Sequence, residues 1–125
     1  MQKRGGSFSV IVPAYRCAPL LQESVQSVLQ QTDENFEVII IDDCSGDDTW
    51  QCIEELALRD QRIRPYRNEK NLGTARTRNR GIGLAKGAYL AFLDGDDRWL
   101  PDKLARQRRC LEETGCDLCY TGYSF

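Results

Sequence analysis

The stretch AYLAFLDGDDRWL, residues 88–100, decides both the fold and the candidate site. It begins as an apolar run long enough for a buried strand and stops at aspartate and glycine, which are poor strand formers. The three carboxylates of Asp94, Asp96 and Asp97 repel one another unless a positive group lies among them. A divalent cation with oxygen ligands would remove that repulsion. Taken alone, the pattern favours a plain acidic turn, because Asp-Gly pairs are common in turns.

The composition is that of one ordinary globular domain. The 125 residues are 41% hydrophobic and 29% charged, which is enough to bury a core. A net charge of -2 argues against nucleic-acid binding, and the absence of histidine leaves any acid–base chemistry to carboxylates. No apolar run is long enough to span a membrane, so we expect a cytoplasmic protein, with the inner face of the membrane as the alternative location.

The six cysteines favour reduced thiols over a metal site. Only Cys116 and Cys119 have C-x2-C spacing, and no histidine is present to complete a zinc ligand set.

Apolar segments of strand type alternate with segments of helical periodicity along the chain. We predict strands at 8–13, 36–41, 63–66, 89–93 and 117–120, and helices that start near Pro19, Trp50, Thr74 and Pro101. Pro65 confines the third strand to a position where a missing N–H is tolerated, such as an edge of the sheet. Gly81 and Gly83 inside the third helix suggest close packing or a close ligand. The arginines 106, 108 and 109 read as the solvated face of the last helix.

This alternation predicts an α/β fold, a three-layer Rossmann-like sheet that is mostly parallel and has helices on both faces. The carboxyl ends of parallel strands share one edge, where ligands bind. Residues that follow three of the strands would therefore meet in one crevice: Pro13, Tyr15, Asp42, Asp43, Asp94, Asp96 and Asp97. Carboxylates and a nearby arginine suit a nucleoside diphosphate that carries a metal. Arg76, Arg78 and Arg80 cannot all point at it, because helical spacing spreads them around the axis.

Four motifs carry a resemblance to a known family. They are SVIVPAY at 9–15, IIIDDCSGDDT at 39–49, NLGTARTRNRGI at 71–82 and FLDGDD at 92–97. Each is weak alone, but in this order and spacing the chain resembles the family 2 inverting glycosyltransferases with the GT-A fold, from about residue 8 to its C-terminus. The resemblance favours the metal interpretation of the three aspartates over the turn.

The resemblance also implies a role for each site residue. Pro13 and Tyr15 would frame the nucleobase, and Asp43 would bind the base or its ribose. Arg78 matches the nucleotide-contacting arginine of the family. Asp94 and Asp96 match the outer letters of the D-x-D motif, which meets ribose and Mn2+ or Mg2+, and Asp97 would share the metal. For Asp42 we favour helix capping or loop bracing, a common use of aspartate.

The implied reaction is metal-dependent transfer of a sugar from a nucleotide sugar to an acceptor hydroxyl, with inversion. A UDP-sugar is the expected donor, with GDP and dTDP open. A carbohydrate or lipid-linked acceptor, as in cell-wall or polysaccharide biosynthesis, is expected. The family places its acceptor-binding half and catalytic base after the fifth strand, so none of the residues here is an evident base. We therefore expect a flexible segment at 1–7 and, at 8–125, the nucleotide-sugar-binding subdomain, truncated before the acceptor half.

Other functions remain open at this point. A non-catalytic module that binds nucleotide and metal is the main alternative. A receiver-like signalling domain is disfavoured, because strand one ends in Pro-Ala-Tyr without an acidic pair. A nucleotidyltransferase is disfavoured, because Tyr15, Arg16 and Cys17 do not form a loop rich in glycine and arginine. An apolar strand edge would also allow pairing with a second copy of the chain.

Overall fold

Strands and helices alternate strictly in the computed structural model, which describes residues 6–114. The strands are β1 Phe8–Ala14, β2 Phe36–Asp42, β3 Ile63–Arg67 and β4 Tyr89–Phe92. The helices are α1 Ala18–Leu29, α2 Thr49–Arg59, α3 Thr74–Leu84 and α4 Lys103–Thr114. Within residues 6–114, none of the helices is both long and apolar enough to cross a membrane.

The four strands form one sheet in the order β3-β2-β1-β4, and all neighbouring pairs are parallel. This confirms the predicted α/β fold. Pro65 lies in the edge strand β3, opposite Ile40, where a missing N–H is tolerated. The predicted fifth strand at 117–120 lies outside the described residues, and so does most of the segment 1–7, for which flexibility stays a prediction.

Helices cover both faces of the sheet, as predicted, because side chains alternate along each strand. Val10 and Val12 of β1 belong to the main core together with Leu21 of α1, Ile53 of α2 and other buried residues, including Leu104 of α4. Ile11 points to the opposite face and meets α3, where an added Cβ at Gly81 would lie 2.5 Å from its Cγ2. Three helices therefore pack on one face and α3 on the other.

The two glycines of α3 have different surroundings, which leads to a prediction. An alanine at Gly81 would overlap the buried Ile11, whereas an added Cβ at Gly83 has nothing within 4 Å. We expect Gly81→Ala to lower the free energy of unfolding by about 1–3 kcal/mol through overpacking. Gly83→Ala should raise it by about 0.5–1 kcal/mol, because alanine favours helix. Urea denaturation of both variants measures this, and equal effects of the two changes would contradict the packing of α3 on β1.

Arg108 departs from the predicted solvated face of α4. Its guanidinium pairs with Asp33, donates to the carbonyl oxygen of Gly6 at 2.6 Å and lies 5.1 Å from the ring centroid of Phe8. Charge pattern alone could not identify it, because its partners come from the opposite end of the chain. Arg108 therefore fastens α4 to the start of β1 and to the segment before β2.

The segment between the acidic stretch and α4 is held by Gln31, just after α1. Its side-chain amide donates to the carbonyl of Leu100 at 2.6 Å and accepts from the backbone N–H of Leu104 at 2.9 Å. Pro101 lies in the turn before α4 rather than in the helix, and its carbonyl accepts from the N–H of Thr32 at 2.9 Å. These bonds fix where the chain leaves the end of β4.

Candidate functional site

A crevice of about 300 Å3 lies at the carboxyl ends of β1, β2 and β4. Most of the predicted site residues line it. The lining residues are Pro13, Ala14, Tyr15, Cys17, Asp43, Thr74, Thr77, Asp94, Gly95 and Asp96. The convergence expected from a parallel sheet is therefore present, and residues 80 positions apart along the chain share one cavity.

Asp43, directly after β2, is surrounded by hydrogen-bond donors. Its Oδ1 accepts from the N–H of Leu72 at 2.8 Å and from the Asn68 amide at 2.9 Å. Its Oδ2 accepts from the N–H of Gly73 at 2.9 Å and from the Asn71 amide at 3.2 Å. Asp43 therefore ties the loop before α3 to the end of β2.

The charge of Asp43 is stabilised by this setting. Burial, which leaves the residue 4% exposed, acts to raise the pKa of its carboxyl, but the bonds from Leu72, Asn68 and Gly73 outweigh it, so the pKa is below its ordinary value. Each of its oxygens already accepts two hydrogen bonds. Its predicted contact with a base or ribose stays a prediction, while its bracing of the loop is observed.

Asp42 braces the neighbouring loop, as we favoured. It is fully buried, and its Oδ1 accepts from the hydroxyl of Ser45 at 2.5 Å and from the Ser45 N–H at 3.2 Å. Its Oδ2 has no hydrogen bond, and the nearest cation is the Nε of Arg67 at 3.8 Å. Asp42 thus fixes the turn that leads into α2.

The acidic loop, residues 94–97, holds three carboxylates close together. One oxygen from each of Asp94, Asp96 and Asp97 lies within 4.8 Å of the others. Burial raises the pKa of Asp97, and the charges of Asp96 and Asp94 raise it further. Oxygen ligands at this spacing fit a hard divalent cation such as Mn2+ or Mg2+. A positive group is already close to one member, since Arg78 Nη2 lies 2.8 Å from Asp94 Oδ1.

The acidic loop rests on α1. Gly95 lies against Cys17, so that an added Cβ would be 2.7 Å from the Cys17 Sγ, and its carbonyl accepts from the Ser24 hydroxyl at 3.0 Å. The N–H of Trp99 donates to the Ser27 hydroxyl at 3.1 Å. Burial raises the pKa of the Cys17 thiol to about 11, so the residue remains a neutral packing group. The position of the acidic loop is therefore set by Cys17, just before α1, and by Ser24 of α1.

The three arginines of α3 point in different directions, as helical spacing requires. Arg78 reaches Asp94 in the acidic loop. Arg80 donates to the side chain of Asn68 at 2.8 Å and to the carbonyl of Arg67, and Arg76 is exposed. Arg78 is thus the one that contacts the site, and Arg80 supports Asn68 behind Asp43.

Asn68 belongs to the site although no sequence pattern singles it out, and Asn71 was expected only to form part of a turn. Asn68 is buried and donates to Asp43 and to the Thr77 hydroxyl at 3.0 Å. An asparagine just after an edge strand looks like an ordinary turn residue, so no local signal distinguishes it. The Asn-Leu-Gly turn at 71–73 is predicted by its sequence, but the hydrogen bonds that join this turn to Asp43 are not.

The parallel sheet and its polar crevice define an α/β protein of the Rossmann-like class, in which ligands bind outside the carboxyl ends of the strands. More specifically, the chain belongs to glycosyltransferase family 2. The model of this family, described as Glycosyl transferase family 2, matches residues 9–124. Family membership inferred from the four motifs is thereby confirmed.

Three relatives show how widely the similarity extends. UDP-Glc:alpha-D-GlcNAc-diphosphoundecaprenol beta-1,3-glucosyltransferase WfaP of Escherichia coli is 40% identical over 115 residues, which make up 92% of this chain and 45% of that protein. The crystal structure of S. aureus TarS 1-349 in complex with UDP-GlcNAc superposes with a TM-score of 0.80 at 31% identity, covering 87% of this chain and 32% of that one.

The third relative is the mannosyltransferase PcManGT from Pyrobaculum calidifontis in complex with GDP-Man and Mn2+. It has a TM-score of 0.81 and 25% identity, and the match covers 89% of this chain and 34% of that chain. Across eight curated relatives, the present chain spans 17% to 46% of the relative's length.

Proposed function

We propose that this chain binds the donor of a metal-dependent, inverting glycosyltransferase, which moves a sugar from a UDP-sugar to an acceptor hydroxyl. The observation that carries the proposal is the crevice itself. It brings an exposed aromatic ring, Tyr15, together with Asp43 and the acidic loop at the ligand-binding edge of a parallel sheet. Family membership supplies the reaction class.

Each part of the crevice suits a different part of the donor. Pro13 and Tyr15 offer an apolar and aromatic surface for a nucleobase. Arg78 adjoins the crevice through Asp94, and its side chain is 40% exposed, so guanidinium donors that Asp94 does not use can bind diphosphate oxygens. Asp94, Asp96 and Asp97 would hold Mn2+ or Mg2+. A bound divalent cation offsets negative charge on the leaving diphosphate.

Relatives support the substrate classes. TarS is described in complex with UDP-GlcNAc and PcManGT with GDP-Man and Mn2+, which favours a nucleotide-sugar donor and a divalent metal. The name of WfaP specifies a UDP-Glc donor and a diphosphoundecaprenol-linked acceptor. We therefore propose a carbohydrate or lipid-linked acceptor, polysaccharide biosynthesis as the process, and the cytoplasmic face of a membrane as the place of reaction. We assign no catalytic base among residues 6–114.

Calorimetry tests the donor site. The chain is titrated with UDP, GDP and dTDP, each with Mn2+ and with EDTA, and the expected result is binding of UDP that is tighter in Mn2+. Absence of a metal-dependent heat for all three nucleotides would refute the donor site. Transfer of sugar to an acceptor by the chain would support the enzyme, whereas binding without transfer is expected both of a donor-binding part and of a non-catalytic module.

The contact between Gly95 and Cys17 predicts a compensating pair of substitutions. Gly95→Ala should push the acidic loop off α1, because its new Cβ would meet the Cys17 Sγ at 2.7 Å. We expect about three- to tenfold weaker Mn2+ binding, a modest loss typical of misplaced ligands. Cys17→Ala removes the obstructing sulfur and should restore the affinity in the double variant while changing little alone. If Gly95→Ala weakened Mn2+ binding equally in the Cys17 and the Cys17→Ala backgrounds, the contact would not be what positions the acidic loop.

A further inference from the structure

Arg16, between β1 and α1, has an unusual backbone conformation. Its φ is +50°, in the left-handed region that residues other than glycine, asparagine and aspartate rarely adopt. Its N–H donates to the Ser45 hydroxyl at 2.9 Å, and its side-chain Nε donates to the Ser45 carbonyl at 3.1 Å. Such a conformation persists only where the surroundings fix it.

The anchor of Arg16 is connected to the sheet. The Ser45 hydroxyl, which accepts from Arg16, itself donates to the Oδ1 of Asp42. Asp42 is the last residue of β2 and is fully buried. A short chain of hydrogen bonds thus runs from the end of β2 through the Ser45 hydroxyl to the backbone N–H of Arg16, while the Ser45 carbonyl holds the Arg16 side chain.

The guanidinium of Arg16 lies over the ring of Tyr15, with its Cζ 5.1 Å from the ring centroid. Tyr15 lines the crevice and is 45% exposed, so its ring is accessible to a ligand. A cation at this distance interacts favourably with an aromatic face. Arg16 thus lies against one face of the ring.

The charge of Arg16 is offset within its own neighbourhood. Hydrogen bonds from Thr49 lower the pKa of Asp47, and the positive charge of Arg16 lowers it further, so these two groups attract one another. Arg16 therefore belongs to the loop contacts around Ser45, unlike Arg78, which reaches the acidic loop.

From this geometry we infer that Arg16 is a positioning residue for the donor base: it holds the Tyr15 ring in the orientation that stacks on the nucleobase. The inference rests on the proposed function, in which Tyr15 contacts the base. A ring that is already held loses less rotational freedom when the nucleotide binds. The same argument assigns Asp42 and Ser45 to the support of the base site, through Arg16.

A double-mutant cycle on the 125-residue chain tests the inference, with UDP and Mn2+ in the calorimeter. Arg16→Met should weaken UDP binding by about three- to tenfold, since one exposed side chain becomes free to rotate. In the Tyr15→Ala background the same change should have no further effect. Arg59→Met, at the exposed end of α2, is the control and should leave UDP affinity unchanged.

Arg16→Gly separates positioning from stability. Glycine adopts a positive φ without strain, so the chain should unfold at an equal or higher urea concentration. UDP binding should nevertheless weaken as in Arg16→Met, because the guanidinium is gone. If Arg16 mattered only for folding, Arg16→Gly would not combine unchanged or higher stability with weaker UDP binding.

The outcomes distinguish the inference from the proposed function. Absence of UDP binding by the unaltered chain would overturn both. UDP binding that Tyr15→Ala weakens but neither Arg16 variant affects would overturn only the inference. An Arg16→Met effect of equal size in both Tyr15 backgrounds would overturn it too, because Arg16 would then contact the nucleotide directly.

Discussion

Asp96→Asn is expected to remove the metal-dependent part of UDP binding. In the unaltered chain UDP should bind more tightly with Mn2+ than with EDTA, and in the variant the two affinities should become equal. The carboxylate of Asp96 is the exposed member of the acidic loop and lies within 4.8 Å of its two neighbours. Asparagine keeps the shape but offers a neutral, weaker ligand, so we expect Mn2+ affinity to fall at least about a hundredfold.

A matched substitution separates loss of a ligand from loss of a charge. Asp102→Asn removes the same charge six residues further along, where the carboxylate pairs only loosely with Arg106 at 3.7 Å. We expect UDP and Mn2+ binding by this variant to equal that of the unaltered chain. The Asp96→Asn variant should also unfold at nearly the same urea concentration as the unaltered chain, because substitutions of exposed residues usually change the free energy of unfolding by less than about 0.5 kcal/mol. Metal-enhanced UDP binding that survives in Asp96→Asn would refute the assignment of Asp96.

Asp43→Asn is the substitution with the largest expected effect on stability. Each carboxylate oxygen of Asp43 accepts from one backbone N–H and one asparagine amide. In Asp43→Asn one of these oxygens becomes an NH2 group, so the two donors that bonded to it lose their acceptor. Each buried donor left unpaired costs about 1–3 kcal/mol, and we expect the free energy of unfolding to fall by about 2–4 kcal/mol. Asp48→Asn, at the start of α2 and without a side-chain capping bond, is the control, with an expected change below about 1 kcal/mol.

The contribution of Asp43 should also depend on pH. Because its pKa in the folded protein is below its ordinary value, the stabilisation is fully present above the unfolded pKa of about 3.9 and is lost as pH falls through the folded value. The difference in unfolding free energy between the unaltered chain and Asp43→Asn should be constant from about pH 5 to 7 and shrink below about pH 4. Urea titrations across this range measure it. A difference that stayed constant down to pH 2 would contradict a charge stabilised by the loop.

The predicted elements were accurate where local patterns are strong. The apolar run of Phe36–Asp42 and the amphipathic spacing around Ile53 gave the right strand and helix, since burial of one or two faces leaves a clear periodicity. The edge position of Pro65 followed from its missing N–H. The sequence predicts close packing or a close ligand for both glycines of α3, yet only Gly81 is packed against the sheet. Residues two apart on a helix differ by about 200° in direction, and the sequence does not state which of them faces the sheet.

The sequence by itself determined that AYLAFLDGDDRWL ends a strand and that its aspartates share an edge with Tyr15 and Asp43, because parallel strands joined by helices must present their carboxyl ends together. Only the tertiary structure decided what each side chain does there. Asp43 is saturated by hydrogen bonds from its own surroundings, Arg16 lies over Tyr15, and Arg108 is partly buried and pairs with Asp33. Strand and helix preference is a property of neighbouring residues, whereas a hydrogen bond requires two distant segments to be placed within a few tenths of an ångström.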